Sequence, residues 1–438
     1  MTVLLFTVPV WAQTDTGRIL GSVADESGAV IPNATITITD AQRGTTRVLT
    51  TNGAGEYLAP NLLAGQYSIR VSSPGFKTVD RQNIGLEVAR DVRADFTLQA
   101  GDTQTTVTVN AEVPLVDSTS AVLGGTLTNQ VINDLPLNGR NFMNLLQLRP
   151  GVMAFPGGGK WSQSSNGLRP EYNVYILNGI DAIEGFSAQS ALNAAGISGD
   201  AASLLPVDAI QEFNVQQNPK AEYGWKPGVI ANIGLKSGTN SLHGSAYAFG
   251  RDSALDATNP FIPPGAPKQE TALEQFGATA GGPIKKDKIF FFLAYEGQRE
   301  VIGAPSTVLL PTTASLGGKP ASSLLDACNA VPAASRSALS LAMAGMDTNC
   351  AIISPKQNLF QSGPSVSYVP VIPMDMRSDN GLAKVDYNIS PRHIINGEIF
   401  LNSFGGLATQ AQVHDYWRTY TENQSRLGGI HYTWLPSP

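Results

Sequence analysis

The residues closest to a catalytic pattern are Lys236-Ser237-Gly238 and Ser378-Asp379-Asn380, which echo two boxes of serine acyl transfer of the penicillin-binding type. That chemistry needs a nucleophilic Ser three residues before a Lys, and no Lys in the chain has one. The two boxes also come in the wrong order. Gly157-Gly158-Gly159-Lys160 lacks the upstream Gly and the following Ser or Thr with which a phosphate loop holds a nucleotide. It reads as a flexible loop. His243, His393, His414 and His431 show neither H-E-x-x-H nor a paired spacing, so no metal site is expected from them. Cys328 and Cys350 stand without a C-x-x-C, against a zinc ribbon. No nucleophile falls beside a base. The chain is expected to be no enzyme and to need no cofactor.

Composition narrows the class further. The net charge is -6 and the charged fraction 15%, against roughly 25% for an average soluble chain. A nucleic-acid binder would show basic clusters, so nucleic acid is excluded as a partner. With 438 residues, 44 Gly and 28 Pro, the chain has room for two or three domains and many turns.

The elements that would position any site are strands. Residues 1–12 hold an apolar run ending in Val10-Trp11-Ala12, too short to span a bilayer and matching the core of a secretory signal. An exported chain gives the cysteine pair a reading as a disulfide closing a loop; two unpaired thiols are the alternative. Over 17–98, Ile19, Gly21 and Val23 share one face, Thr35–Thr39 alternates, and Tyr67, Ile69 and Val71 then Phe96 and Leu98 repeat the period of two. Glu26-Ser27-Gly28, Asn52-Gly53-Ala54-Gly55 and Ser73-Pro74-Gly75 supply the turns, so the segment reads as a β-sandwich. Residues 99–111 are a polar link. Residues 112–240 mix short elements: a short helix after Pro136 with Leu145 and Leu146 inward, a strand and turn over 174–181, and a strand over 210–215.

Residues 241–438 read as hairpins, with strands at 241–250, 273–282, 288–298, 379–389, 394–404 and 424–435. In the fourth, Ala383, Val385, Tyr387 and Ile389 share one face and Lys384, Asp386 and Asn388 the other. This is the apolar-out, polar-in alternation of an outer-membrane barrel; Ile430, Tyr432 and Trp434 repeat it with aromatics at the strand end. Short joins after the second and fourth strands alternate with long ones elsewhere, as periplasmic turns and outer loops do. The longest loop holds both cysteines. Its Leu324, Leu325, Ala338, Leu339, Leu341 and Ala342 suggest short helices.

Several motifs carry a resemblance. Gly21-Ser22-Val23, Gly28–Ala34, Thr51–Tyr57 and Leu63–Tyr67 make 17–98 resemble the carboxypeptidase regulatory-like domain, a transthyretin-like sandwich. Leu-Pro-Leu-Asn-Gly-Arg-Asn (135–141), Asn-Gly-Ile-Asp (178–181), Ile-Gln-Glu-Phe-Asn-Val (210–215), Ala-Glu-Tyr-Gly (221–224) and Lys-Ser-Gly-Thr-Asn (236–240) occur in this order in the plugs of Oar-like TonB-dependent transporters. The resemblance implies a mainly β chain: the sandwich at 17–98, a linker at 99–111, an α+β plug at 112–240, and at 241–438 the first six or so strands of an incomplete outer-membrane β-barrel.

The same resemblance implies a function. Thr106, Val107, Thr108, Val109, Asn110 and Ala111 look like a TonB box, an extended segment that adds its edge to an energy-coupling protein; the alternatives are a last sandwich strand or a plain linker. Among the plug motifs, Asn138, Gly139, Arg140, Asn178, Gly179, Asp181, Glu212 and Glu222 are the residues of interest. The charged ones would either fix the plug in the wall through ion pairs or shift when the partner pulls. Uptake of a small-molecule, glycan or peptide substrate through outer-membrane lipid is expected. The alternative is a surface binding or adhesion protein using the sandwich and outer loops for glycans or matrix. Barrels of this class close about 22 strands, and an open sheet edge cannot face lipid. As given, ending at a turn, the chain is expected neither to insert stably nor to transport.

Overall fold

The computed structural model describes residues 16–102, 105–109, 123–135, 142–155, 163–182, 205–217, 226–258, 268, 270–305, 308–309, 314–316, 319–321, 324–343, 345–353, 367–368, 371–407 and 420–435. The signal-like run at 1–12 lies outside the described residues.

Period-two alternation builds the N-terminal unit. Its strands are β1 (Gly17–Asp25), β2 (Thr35–Asp40), β3 (Thr46–Thr50), β4 (Glu56–Leu62), β5 (Gly65–Ser72), β6 (Thr78–Leu86), β7 (Asp91–Arg93), β8 (Phe96–Leu98) and β9 (Thr106–Val109). In one sheet β1 lies between β4 and β7 and also pairs β8; the other runs β3-β2-β5-β6-β9. Ile19, Val23, Ile36, Ile38, Ile69, Val71, Ile84 and Leu98 interleave between the sheets, all fully buried. Each is flanked by a residue facing water, so the sandwich is stabilised by apolar burial on inner faces alone. The turn residue Asn52 accepts from the N–H groups of Ala54 and Glu56, each at 2.9 Å, through its side-chain oxygen. That local bond is why the Asn-Gly-Ala-Gly run turns the chain.

The middle unit is built differently. It comprises β10 (Gly124–Thr128), α1 (Asn129–Asp134), β11 (Val152–Ala154), β12 (Gln163–Ser165), β13 (Val174–Leu177), β14 (Ile180–Asp181), β15 (Ile210–Gln216) and β16 (Ile230–Leu235). The main sheet runs β10-β15-β16-β13-β14, with β13 parallel to β16. Every residue of β16 is buried. A strand covered on both faces loses its alternation, which is why 230–235 carried no strand signal. A short helix does follow Pro136, a 3-10 helix over Phe142–Leu148, and an additional helix, α1, precedes that proline. Leu135 ends α1 in an extended conformation, as a residue before proline is driven to do. Met143, Leu145 and Leu146 do face the core.

A six-stranded antiparallel wall follows, β17 (His243–Asp252), β18 (Thr271–Lys285), β19 (Ile289–Pro305), β24 (Val371–Ser390), β25 (His393–Leu407) and β26 (Tyr420–Trp434), in that order. Between β19 and β24 lie the short strands β20 (Val308–Leu309), β21 (Ala314–Leu316), β22 (Lys319–Ala321) and β23 (Ser367–Tyr368). β24 starts eight residues before the expected 379. It pairs β19 from Ile289↔Tyr387 to Pro305↔Val371, so the ladder carries it beyond its own apolar alternation. The burial of the wall is inverted relative to a soluble sheet. Gln275, Glu296, Gln298, Asn380, Lys384, Asp386 and Glu398 are buried, while Phe249, Leu293, Val385, Ile399, Leu401, Ile430 and Trp434 are exposed. Apolar side chains facing out and polar ones facing in suit a lipid-embedded surface. Among the described residues no helix is long and apolar enough to cross a membrane.

In the long join, α2 (Leu324–Ala330) and α3 (Ala338–Met343) flank a disulfide between Cys328 and Cys350. Arg336 ties the same loop, donating to the carbonyls of Val331 (3.0 Å), Cys328 (3.2 Å) and Thr348 (2.7 Å). Closing a loop of 22 residues is worth about 3 kcal/mol of constraint. Replacing both cysteines by serine should therefore speed proteolytic cleavage within 324–353 and leave the sandwich and wall intact. Cleavage at the native rate would mean that Arg336 alone holds the loop.

Candidate functional site

The candidate site is the junction where sandwich, plug and wall meet. Asn178 and Gly179 form the tip of the β13–β14 hairpin, with φ of 48° and 84°. Two successive positive φ values are what an Asn-Gly hairpin turn of this hand requires. The turn aims Asn178 at the wall. Its amide nitrogen donates to Glu398 Oε2 at 2.9 Å, and its oxygen accepts from Lys384 Nζ at 3.3 Å. Lys384 and Glu398 sit opposite each other on β24 and β25, so one amide bridges two unlike charges on neighbouring strands. Glu398 also meets His431 Nε2 at 3.0 Å, and Asp386 accepts from Asn396 at 2.7 Å. Buried charges persist only when they are paired and hydrogen-bonded in this way. Beside them Ile180 packs over Gly429.

The plug meets the sandwich through Glu212. Its carboxyl accepts the N–H of Val88, at the end of the β6–β7 connection. Gly234 makes the approach feasible: a Cβ there would lie 2.3 Å from Val88 Cγ2. Glu87 accepts from Thr126 Oγ1 at 2.6 Å, and Ala89 packs on Val174, Ile176 and Ile230. Burial pushes the Glu212 carboxyl up to about 8; the Val88 N–H opposes the shift and Glu87 adds to it. Among the described residues Glu212 makes no ion pair with the wall. It lies on the part of the plug sheet that the sandwich covers.

Asn240 joins all three units. Its N–H donates to Gln42 O at 3.1 Å and its amide to Arg43 O at 2.9 Å, in the sandwich. It also exchanges bonds with Asp287 in the turn between β18 and β19, at 2.7 and 2.9 Å. Val88, Asn240, Lys384 and Glu398 had no signal as site residues in sequence, because each is defined by a partner from another unit.

The TonB-box candidate is a sandwich strand in this conformation. Thr106–Val109 runs parallel to β6, with Val79 facing Val107 and Arg81 facing Val109. It is the outer strand of its sheet. Asn110 and Ala111 lie outside the described residues, as do Asn138, Gly139, Arg140 and Glu222. Asp181, at the end of β14, acts electrostatically on Lys226. Among the described residues no group of His, Cys, Asp or Glu could hold a metal ion.

Comparisons with known proteins agree with this architecture. Residues 18–99 match the carboxypeptidase regulatory-like domain, and residues 234–438 an outer membrane beta barrel domain. The TonB-dependent transporter Oar of Myxococcus xanthus is 27% identical over 307 residues, 67% of this chain. The chain is a homologue of Oar-type TonB-dependent transporters. It spans 27% of that relative's length. The barrel match supports an outer-membrane location, and the relative carries the name of a transporter. Among solved structures, a mutant of the ferric enterobactin receptor of Pseudomonas aeruginosa aligns at TM-score 0.40 and 13% identity, over 70% of this chain and 38% of that one. Catechol 1,2-dioxygenase of Acinetobacter radioresistens aligns at TM-score 0.18 and 14% identity, over 23% of this chain and 57% of that one.

Proposed function

We propose that the chain serves energy-coupled uptake across the outer membrane, as part of a receptor whose plug is released through residues 106–111. The observation that carries the reading is the inverted wall, apolar outward and polar inward, closed against a plug by the Asn178 bridge. Sandwich and linker then face the periplasm and the long loops the outside. A small molecule, glycan or peptide binds between loops and plug apex. A TonB-type protein pulls the linker, and no covalent chemistry takes place.

The mechanism makes a demand on β9. As the outer strand of its sheet, β9 holds β6 on one backbone edge and, among the described residues, leaves the other open for a partner. Pairing with β6 and pairing with an energy-coupling partner draw on the same few residues. Residues 106–109 must leave the sandwich before they can be pulled.

A cross-link tests this. Val79 and Val107 face each other in the ladder, so Val79→Cys with Val107→Cys should allow oxidative trapping of β9 on β6. Uptake should be lost on oxidation, because the trapped strand can no longer be drawn out, and should return on reduction. Val107→Pro with Val109→Pro should abolish binding and uptake in both states. Equal uptake by oxidised, reduced and proline forms would sink the assignment and favour a surface adhesion role.

A further inference from the structure

A cavity of about 520 Å3 lies where the three units meet. The sandwich contributes Arg43, the plug Lys236 and Gln211, and the wall Lys384 and His243. Cations thus come from three separate elements, and no carboxylate lines the space. At least four carboxylates act from behind its walls, Glu398 opposite Lys384 among them. Asp40 holds Arg43 at 2.7 Å, Asp386 lies 3.9 Å from Lys384, and Asp208 acts on Lys236.

Those partners leave cationic capacity unused. Arg43 is buried and lines the cavity; Asp40 takes its Nη1, and among the described residues its Nη2 has no hydrogen-bond partner. A buried guanidinium donor left unsatisfied costs stability that an acceptor would recover. The Lys236 ammonium has neither a hydrogen bond nor an ion pair within 4 Å among the described residues, and burial lowers its proton affinity, Asp208 opposing. The polar remainder of the lining consists of amides and hydroxyls from Asn178, Gln211, Ser237 and Thr239, which can donate to an oxyanion as well.

We propose that this cavity binds a small multivalent oxyanion, phosphate or polycarboxylate in type, held between Lys236 of the plug, Arg43 of the sandwich and Lys384 of the wall. Such a ligand would tie the three units together at a space they share. It is separate from the outward-facing substrate region, since its walls include the sandwich and the chain leading into β17.

Unfolding of the full chain in detergent, followed by circular dichroism, tests the proposal. Inorganic phosphate, then citrate, is titrated against chloride at equal ionic strength. Either anion should raise the midpoint in a saturable way, as a ligand of the folded state must. Lys236→Met keeps the stem and removes the charge; it should weaken apparent affinity roughly tenfold or more, the worth of one charge-assisted hydrogen bond. Gln211→Glu places a carboxylate in the cavity and should abolish the effect, while Lys288→Met, outside the cavity lining, should not change it. No shift in the native chain overturns the proposal. So does an equal shift in Lys236→Met and Gln211→Glu. If Lys236→Met fails to fold, Gln211→Glu decides alone.

Discussion

Replacing Glu212 with glutamine is expected to raise the unfolding midpoint at pH 9 and to leave it nearly unchanged at pH 4. The folded chain holds this carboxyl at about 8, against 4.5 for the same group free in water. Between those values the folded state keeps a proton that the unfolded chain releases. Stability from this group is complete below the unfolded value and falls as pH rises through the folded one. Each unit of separation corresponds to about 1.4 kcal/mol, so the native chain gives up on the order of several kcal/mol by pH 9. Glutamine has the same shape, keeps an oxygen for the Val88 N–H, and does not ionise. The difference between variant and native chain should therefore grow from pH 4.5 to about 8 and then level. Parallel pH profiles would show that Glu212 carries no such burden. The consequence for the molecule is local, because the group clamps the sandwich tip on the plug. Alkaline pH should loosen that contact before it loosens the wall, and hydrogen exchange at 86–90 would report it.

Glu398→Ala is the second large effect, expected to cost about 3–5 kcal/mol. The Glu398 side chain is fully buried and accepts from both Asn178 and His431. Its loss leaves Lys384, which is itself buried, with the Asn178 oxygen at 3.3 Å and one carboxylate, Asp386, at 3.9 Å. Breaking one side of a buried charge pair leaves the other uncompensated, which is why the cost exceeds that of a surface bridge. Glu398→Gln retains one acceptor oxygen and the side-chain shape, and should cost less. A double-mutant cycle with Asn178→Ala locates the energy. If Asn178 anchors the plug through Glu398, the two losses will be strongly non-additive, and the 174–181 hairpin will become protease-sensitive in either single variant. Additive losses would mean that the plug is held elsewhere.

The two sites differ in how they could be read beforehand. Glu212 sits in a motif that marked it as a residue of interest, yet its partner proved to be a backbone N–H of the sandwich and not a cation in the wall. Lys384 was legible only as an inward-facing polar residue on a barrel strand. Its place opposite Glu398 depends on the β24–β25 register. The Cys328–Cys350 pairing had both readings open until the loop geometry was known.

The sequence by itself determined the sandwich strands, the wall strands with their outward and inward faces, the Asn-Gly hairpin and the turns, because period-two burial and turn chemistry act over a few neighbouring residues. Tertiary structure alone decided that 230–235 is a strand buried on both faces, that 106–109 completes a sandwich sheet, and that Asn178 bridges Lys384 and Glu398. Those bonds join residues 206 and 220 positions apart. No local pattern encodes a partner at that distance; it exists only once three units have packed and their registers have brought unlike charges to one point.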